Sequence, residues 1–314
     1  MKFYSVYCKM IIAVIDLGTN TFNLLIVEKI NNKGYKKVTS NRVPVKLGEG
    51  AINSGYIAKI PFNRGIEALK QFSQIIKSNK TEKIHAFATS AIRSAKNGSD
   101  FINKAKSEAG IDVEVIDGNR EAELIYFGNR EAVKMSDDVS LIMDIGGGST
   151  EFILANSQKI FWKQSFLLGA ARLLEKINPS NPIKQTEIEN LFAYFKIELQ
   201  PLLEAAKNNP PTELIGSSGA FDSIVDMMAG EFHTESLVDT KTEYSINLKN
   251  YFPISQKVIH STSNELAQIK GLIEMRVDMI VISCLFVNFI LKELKLSNFR
   301  VSTYSLKEGV LFNL

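Results

Sequence analysis

The chain of 314 residues is 45% hydrophobic and carries 37 lysines and arginines against 34 aspartates and glutamates, a net charge of +3 at pH 7. That length exceeds what one core usually organises and predicts a soluble protein of two domains, while the near-neutral balance excludes the strong basic bias of a dedicated nucleic-acid binder. Two cysteines, Cys8 and Cys284, stand far apart without metal-ligand spacing, so a reducing compartment and a cytoplasmic location are expected.

Met1 to Met10 carries Lys2 and Lys9 among aromatic residues, but the apolar run that follows ends at once on Asp16. Cleavage there would threaten the turn beyond, so no export segment is expected. Met10 is expected to be the native initiator. Ile11 to Ile15 then predicts a strand, Asp16-Leu17-Gly18-Thr19-Asn20-Thr21 a tight turn, and Phe22 to Val27 a second strand. The same order returns further on. Leu141 to Met143 leads into Asp144-Ile145-Gly146-Gly147-Gly148-Ser149-Thr150, and Glu151 to Ala155 reads as the returning strand. Each copy is a strand-turn-strand hairpin, whereas a P-loop or dinucleotide turn opens a helix, and the P-loop lysine is missing. Glycine lets the main chain approach a phosphate, and Thr19, Thr21, Ser149 and Thr150 offer hydroxyl donors to its oxygens. Two matched copies favour phosphate binding over a plain structural turn.

Between the copies, Phe62, Ile66, Leu69, Phe72 and Ile76 recur at helical spacing, and Ile84 to Thr89 predicts a strand. Phe101 to Ala109 predicts a helix stopped by Gly110, Val113 to Ile116 is extended, Asp117-Gly118-Asn119 is a turn, and Glu121 to Met135 returns to helix. After the second copy come helices over Glu187 to Lys207, Ala220 to Met228 and Ile273 to Leu294, while 231–262 has no clear period. The apolar stretch Met279 to Leu291 falls short of the ~20 residues of a membrane span and predicts a buried core helix. No membrane partner is expected.

Three further segments bear on chemistry. In Ala88-Thr89-Ser90-Ala91-Ile92-Arg93 a strand breaks into small residues and presents an arginine, either to a phosphate or to a surface ion pair. In Gly118-Asn119-Arg120-Glu121-Ala122-Glu123, Glu121 opens a helix, as a dipole-compensating residue or a catalytic one. Ile215-Gly216-Ser217-Ser218-Gly219-Ala220 turns from strand to helix, as an anion or base site or a tight connection. His85, His233 and His260 stand in no motif and read as ordinary residues.

With Leu168-Gly169-Ala170-Ala171-Arg172-Leu173 and Lys307-Glu308-Gly309-Val310-Leu311, these segments follow one order along nearly the whole chain. In that order the chain resembles the Ppx/GppA family, the exopolyphosphatases and guanosine pentaphosphate phosphohydrolases of the actin-like ATPase superfamily. The resemblance implies an α/β fold of two ribonuclease-H-like lobes with an interdomain cleft, the first over residues 1–128 plus about 300–314 and the second over 129–299. It implies a catalytic carboxylate at Glu121 and a phosphate chain gripped by Gly18, Thr19, Asn20, Arg93, Gly147, Gly148, Ser149 and Thr150. Asp144 and Glu151, with Asp16, become acids of a Mg²⁺ site. Phosphoryl transfer asks mainly for positioning and charge neutralisation, which such a set supplies.

The implied activity is Mg²⁺-dependent removal of terminal phosphate from short-chain inorganic polyphosphate, with guanosine pentaphosphate as second candidate. No nucleic-acid partner is implied, and a homodimer is open. Two other readings stay open: a kinase of the same superfamily with ATP over Gly216 to Gly219, and a non-catalytic sensor of polyphosphate or a phosphorylated alarmone. Three departures bear on the transfer. Arg120 stands where the family commonly has an acid, Lys307 replaces an arginine and loses its bidentate geometry, and the added helical domain of longer members is absent, from which the short-chain expectation follows.

Overall fold

The computed structural model describes residues 10–30, 34–232 and 241–314. Cys8, His233 and the start at 1–9 lie outside the described residues. The chain divides into two units, Met1–Ile116 with Val310–Leu314, and Asp117–Gly309.

In the first unit β1 (Met10–Leu17) and β2 (Thr21–Lys29) form the expected antiparallel hairpin, which β3 (Tyr35–Pro44) extends. On the other side of β1, β4 (Lys83–Ala88) and β5 (Glu114–Val115) add in parallel, giving the order β3-β2-β1-β4-β5. Helix α1 (Lys59–Ser78) lays Ile66, Leu69, Phe72 and Ile76 in one cluster with Ala13, Ile15, Leu17, Leu24 and Ile26 of the hairpin. Alternation along a strand sends those side chains to one face and leaves Asp16 on the other. Two short helices follow, α2 (Ser90–Ser94) after β4 and α3 (Gly98–Lys104). The helix expected to Ala109 loosens into a π turn over Ala105–Ala109 and stops at Gly110, whose φ of 67° suits glycine.

The second unit opens on α4 (Gly118–Ala132). Strands β6 (Ser140–Ile145), β7 (Thr150–Ala155) and β8 (Ile160–Phe166) form an antiparallel meander. Helices α5 (Ala170–Ile177), α6 (Gln185–Glu198) and α7 (Gln200–Asn208) lead to β9 (Glu213–Ser217), parallel to β6. Then come α8 (Gly219–Glu231), β10 (Glu243–Ile246), α9 (Leu248–His260), α10 (Ser263–Leu266), α11 (Val277–Glu293), β11 (Asn298–Ser302) and α12 (Leu306–Phe312). The sheet reads β8-β7-β6-β9-β11-β10, so a meander of three followed by parallel strands occurs in both units. This is the duplicated ribonuclease-H-like order expected above.

Three expectations change. Helix α4 packs across β7 and β8, so it counts with the second unit, and the chain divides after Ile116 rather than 128. The helix expected over Glu187 to Lys207 is two, broken at Leu199, because Pro201 in the first turn of α7 has no N–H to continue the ladder. Helix α11 starts at Val277 after a 3₁₀ turn at Glu274–Arg276. Its residues Met279 to Leu291 are nearly all buried, and among the described residues no helix is long and apolar enough to cross a membrane.

Candidate active site

In the second hairpin the turn between β6 and β7 is tied down by its carbonyls. Gly146 O accepts from Ala170 N–H at 2.9 Å, and Gly147 O from Ala171 and Arg172 N–H, both at 3.0 Å. Gly148 O accepts from the Nε of Arg172 at 2.8 Å, and that side chain is only 9% exposed. A trans peptide sets its N–H opposite its C=O. With these three carbonyls turned towards the start of α5, the amides of Gly147, Gly148 and Ser149 point away from it, the arrangement that receives an anion. Glycine is needed opposite as well: a Cβ at Gly169 would overlap the backbone of Gly147 and Gly148.

Asp144 and Glu151 are cross-strand partners in the β6–β7 register, so their side chains share a face. The other face carries Met143, Ile145 and Phe152 into the core. Thr150 lies on that core side, fully buried, with its hydroxyl donating to Leu168 O at 3.0 Å. Its expected grip on phosphate is therefore corrected: the hydroxyl secures the loop. The Ser149 hydroxyl is also committed, donating to Glu151 Oε1 at 2.7 Å.

Helix α4 covers the acidic face. Lys163 of β8 pairs with Glu123 at 3.5 Å, and Asn129 Nδ2 donates to Ser217 Oγ, beside Asp144 in the register, at 3.2 Å. Glu121, Ile125 and Asn129 are spaced by four along the helix and share that stripe. On this face Asp144 and Glu151 are exposed by only 6% and 1%, and Glu121 on the covering helix by 7%. The sequence reading of Asp117 to Asn119 as a turn is refined by the same helix. Asp117 caps it, accepting from Arg120 N–H at 2.8 Å, so Glu121 sits within the first turn.

The first hairpin repeats the build within its own unit. Thr19 O accepts from Leu47 N–H at 2.6 Å and Asn20 O from Val45 and Lys46 N–H at 2.8 Å, which turns the amides of Asn20 and Thr21 outward. The glycines opening the two turns match: a Cβ at Gly18 would meet Thr21 O at 2.8 Å, and one at Gly146 would meet Ser149 O at 2.9 Å. The acids differ. Asp16 pairs in register with Asn23, whose Nδ2 donates to Asp16 Oδ2 at 3.1 Å, where Asp144 faces a carboxylate. Arg93 stands in the short helix α2 rather than at a bare strand end, and its Nη1 donates to Ile116 O at 3.0 Å.

A model described as the Ppx/GppA phosphatase family matches residues 25–314. The chain belongs to the Ppx/GppA phosphatase family. It is similar to a crystal structure of an exopolyphosphatase from Cytophaga hutchinsonii, at 40% identity, 97% coverage of both chains and a TM-score of 0.94. It is also similar to Exopolyphosphatase 1 of Mycobacterium tuberculosis, 24% identical over 96% of this chain and 87% of the relative. The PPX-GPPA enzyme of Aquifex aeolicus shares the fold, with a TM-score of 0.80, 23% identity, and coverage of 98% of this chain and all of that one. As a Ppx/GppA phosphatase the chain is a phosphohydrolase acting on phosphoanhydride bonds.

Within the Ppx/GppA frame, Arg120 bonds Glu123 at 2.6 Å, and this pairing, the main cause, holds the Glu123 carboxyl below its usual range. Lys307 pairs with its neighbour Glu308 at 3.1 Å. In the segment from Ile215 to Ala220, Ser218, at φ 76°, donates from Oγ to Ile145 O at 3.2 Å, and a Cβ at Gly219 would overlap the Arg276 guanidinium.

The donor set suits a divalent cation: Asp144 and Glu151 are buried carboxylates set opposite one another on one strand pair. Among the described residues no group of three or more histidine, cysteine, aspartate or glutamate side chains forms a cage. Mg²⁺ asks for one or two carboxylates and completes its shell with waters and phosphate oxygens. Two residues of this site were missed in the sequence. Arg172 had a signal, a charged residue in an otherwise apolar stretch; Ser165, which donates to Glu151 Oε1 at 2.7 Å, had none.

Proposed function

We propose that this Ppx/GppA phosphatase is a Mg²⁺-dependent exopolyphosphatase that removes the terminal phosphate of inorganic polyphosphate, with guanosine pentaphosphate as a second substrate. The supporting observation is the second hairpin, where three outward amides adjoin two paired carboxylates on one strand pair. Gly147, Gly148 and Ser149 bind phosphate oxygens through their N–H groups. Asp144 and Glu151 hold the cation, and Asp16, met by an amide, is the weaker candidate. A bound Mg²⁺ supplies neutralisation of the phosphate charge. Glu121 orients a water and takes its proton as the water oxygen bonds to the terminal phosphorus and the bridging oxygen departs with the shortened chain. Within the first unit, Arg93 and the first loop, Gly18 to Asn20, offer phosphate contacts of their own. The names of the Cytophaga and mycobacterial relatives support polyphosphate as substrate.

The test is phosphate release from short polyphosphate, long polyphosphate, guanosine pentaphosphate and ATP, each with and without magnesium. Magnesium-dependent release from polyphosphate is expected, and Asp144→Asn is expected to need more magnesium. Binding without release would instead make the protein a sensor. ATP turnover only with an acceptor would make it a kinase.

A further inference from the structure

We infer that Ser165 is a positioning residue that fixes the Glu151 carboxylate for a divalent cation. The inference rests on the proposal that Glu151 is a ligand of that cation. Ser165 lies on β8 in register with Glu151, and its Oγ donates to Glu151 Oε1 at 2.7 Å. Ser149 Oγ donates to the same oxygen at 2.7 Å. A carboxylate oxygen offers about two lone-pair directions, so two hydroxyls fill Oε1 and fix the plane of the group.

The two serines are not equivalent. Ser149 belongs to the turn itself, whereas Ser165 is held in a strand paired along β7. Two residues back on the same face of β8, Lys163 reaches Glu123 of α4 at 3.5 Å. Strand β8 therefore braces the acidic face at two points, and Ser165 is the one that touches a carboxylate of the site. Hydrogen-bond partners of metal ligands orient them, and their loss lowers metal affinity by about 10- to 100-fold.

The full chain, stripped of metal, is titrated with Mn²⁺ while the free ion is followed by electron paramagnetic resonance. Wild type is compared with Ser165→Ala, Ser165→Thr and Glu151→Gln. Ser165→Ala is expected to raise the Mn²⁺ dissociation constant about 10- to 100-fold. Ser165→Thr, which keeps the hydroxyl on a strand that suits threonine, is expected to bind as wild type. Should the alanine variant not fold, Ser165→Cys, close in shape but a weaker donor, is expected to weaken binding in the same direction. If Glu151→Gln abolishes binding while Ser165→Ala matches wild type, the positioning role is overturned and the cation proposal stands. A threonine variant as weak as alanine assigns the effect to packing and overturns the role too. If Glu151→Gln itself binds Mn²⁺ normally, the underlying proposal fails.

Discussion

Glu121 occupies the first turn of α4, where the helix dipole favours a carboxylate, yet it is only 7% exposed. A residue serving the dipole alone has no need of burial. Glu121→Gln is therefore expected to lower kcat by about 10²- to 10⁴-fold with little change in polyphosphate binding, read from steady-state kinetics and a binding isotherm. Sequence motifs marked Glu121, Asp144 and Glu151, and strand parity could have removed Thr150, because a neighbour of Glu151 must face the opposite side. What parity could not reveal was the partner of each hydroxyl. His85 allows a test of a different kind. Its Nε2 is buried with no hydrogen-bond partner, and burial, aided by Lys83, pushes its pKa below 6.5. The unfolded chain then takes up this proton before the folded one does, so stability is complete above that value and declines as pH falls through it. The fall in Tm between about pH 7.5 and about pH 5.5 is expected to shrink in His85→Gln; an equal fall would remove His85 as a contributor.

At the level of elements, hairpins were the most legible feature, since an apolar run, an aspartate, a glycine turn and a second apolar run leave little choice of pairing. Helix ends were less so. Pro201 breaks the α6–α7 pair, but the apolar period continues across the break and hides it. Close approach between elements was also hidden. A Cβ at Gly128 of α4 would overlap Ser305 O, and one at Gly309 would overlap Leu124 O, so two glycines let the segment before and within α12 lie against α4. Gly128→Ala is expected to destabilise by about 1–3 kcal/mol through overpacking, despite alanine's better helix propensity, and urea unfolding measures it. A stabilised variant would show that the two backbones can part.

Across the whole molecule, each unit has its own hydrophobic cluster, one around β1 and α1 and the other around β6 and α11. The duplicated topology followed from the repeated motif, but the division at Ile116 did not, because α4 adjoins the first unit in sequence and the second in packing. Ligand binding couples to stability by mass action, so the hydrolysis-poor Glu121→Gln protein is expected to gain about 2.7 kcal/mol at a polyphosphate concentration a hundred times its Kd, with magnesium present. Differential scanning calorimetry reads this as a rise in Tm, and no rise at saturation would deny binding to the folded state. The clamped carbonyls of both turns also have an evolutionary and engineering consequence. Because the sign of charge each turn accepts is written in main-chain direction, exchanging side chains at Thr19 or Ser149 can tune grip but cannot convert either turn into a receptor for cations. Changing that preference requires rebuilding the Val45 to Leu47 segment or the start of α5, which hold the peptides from behind.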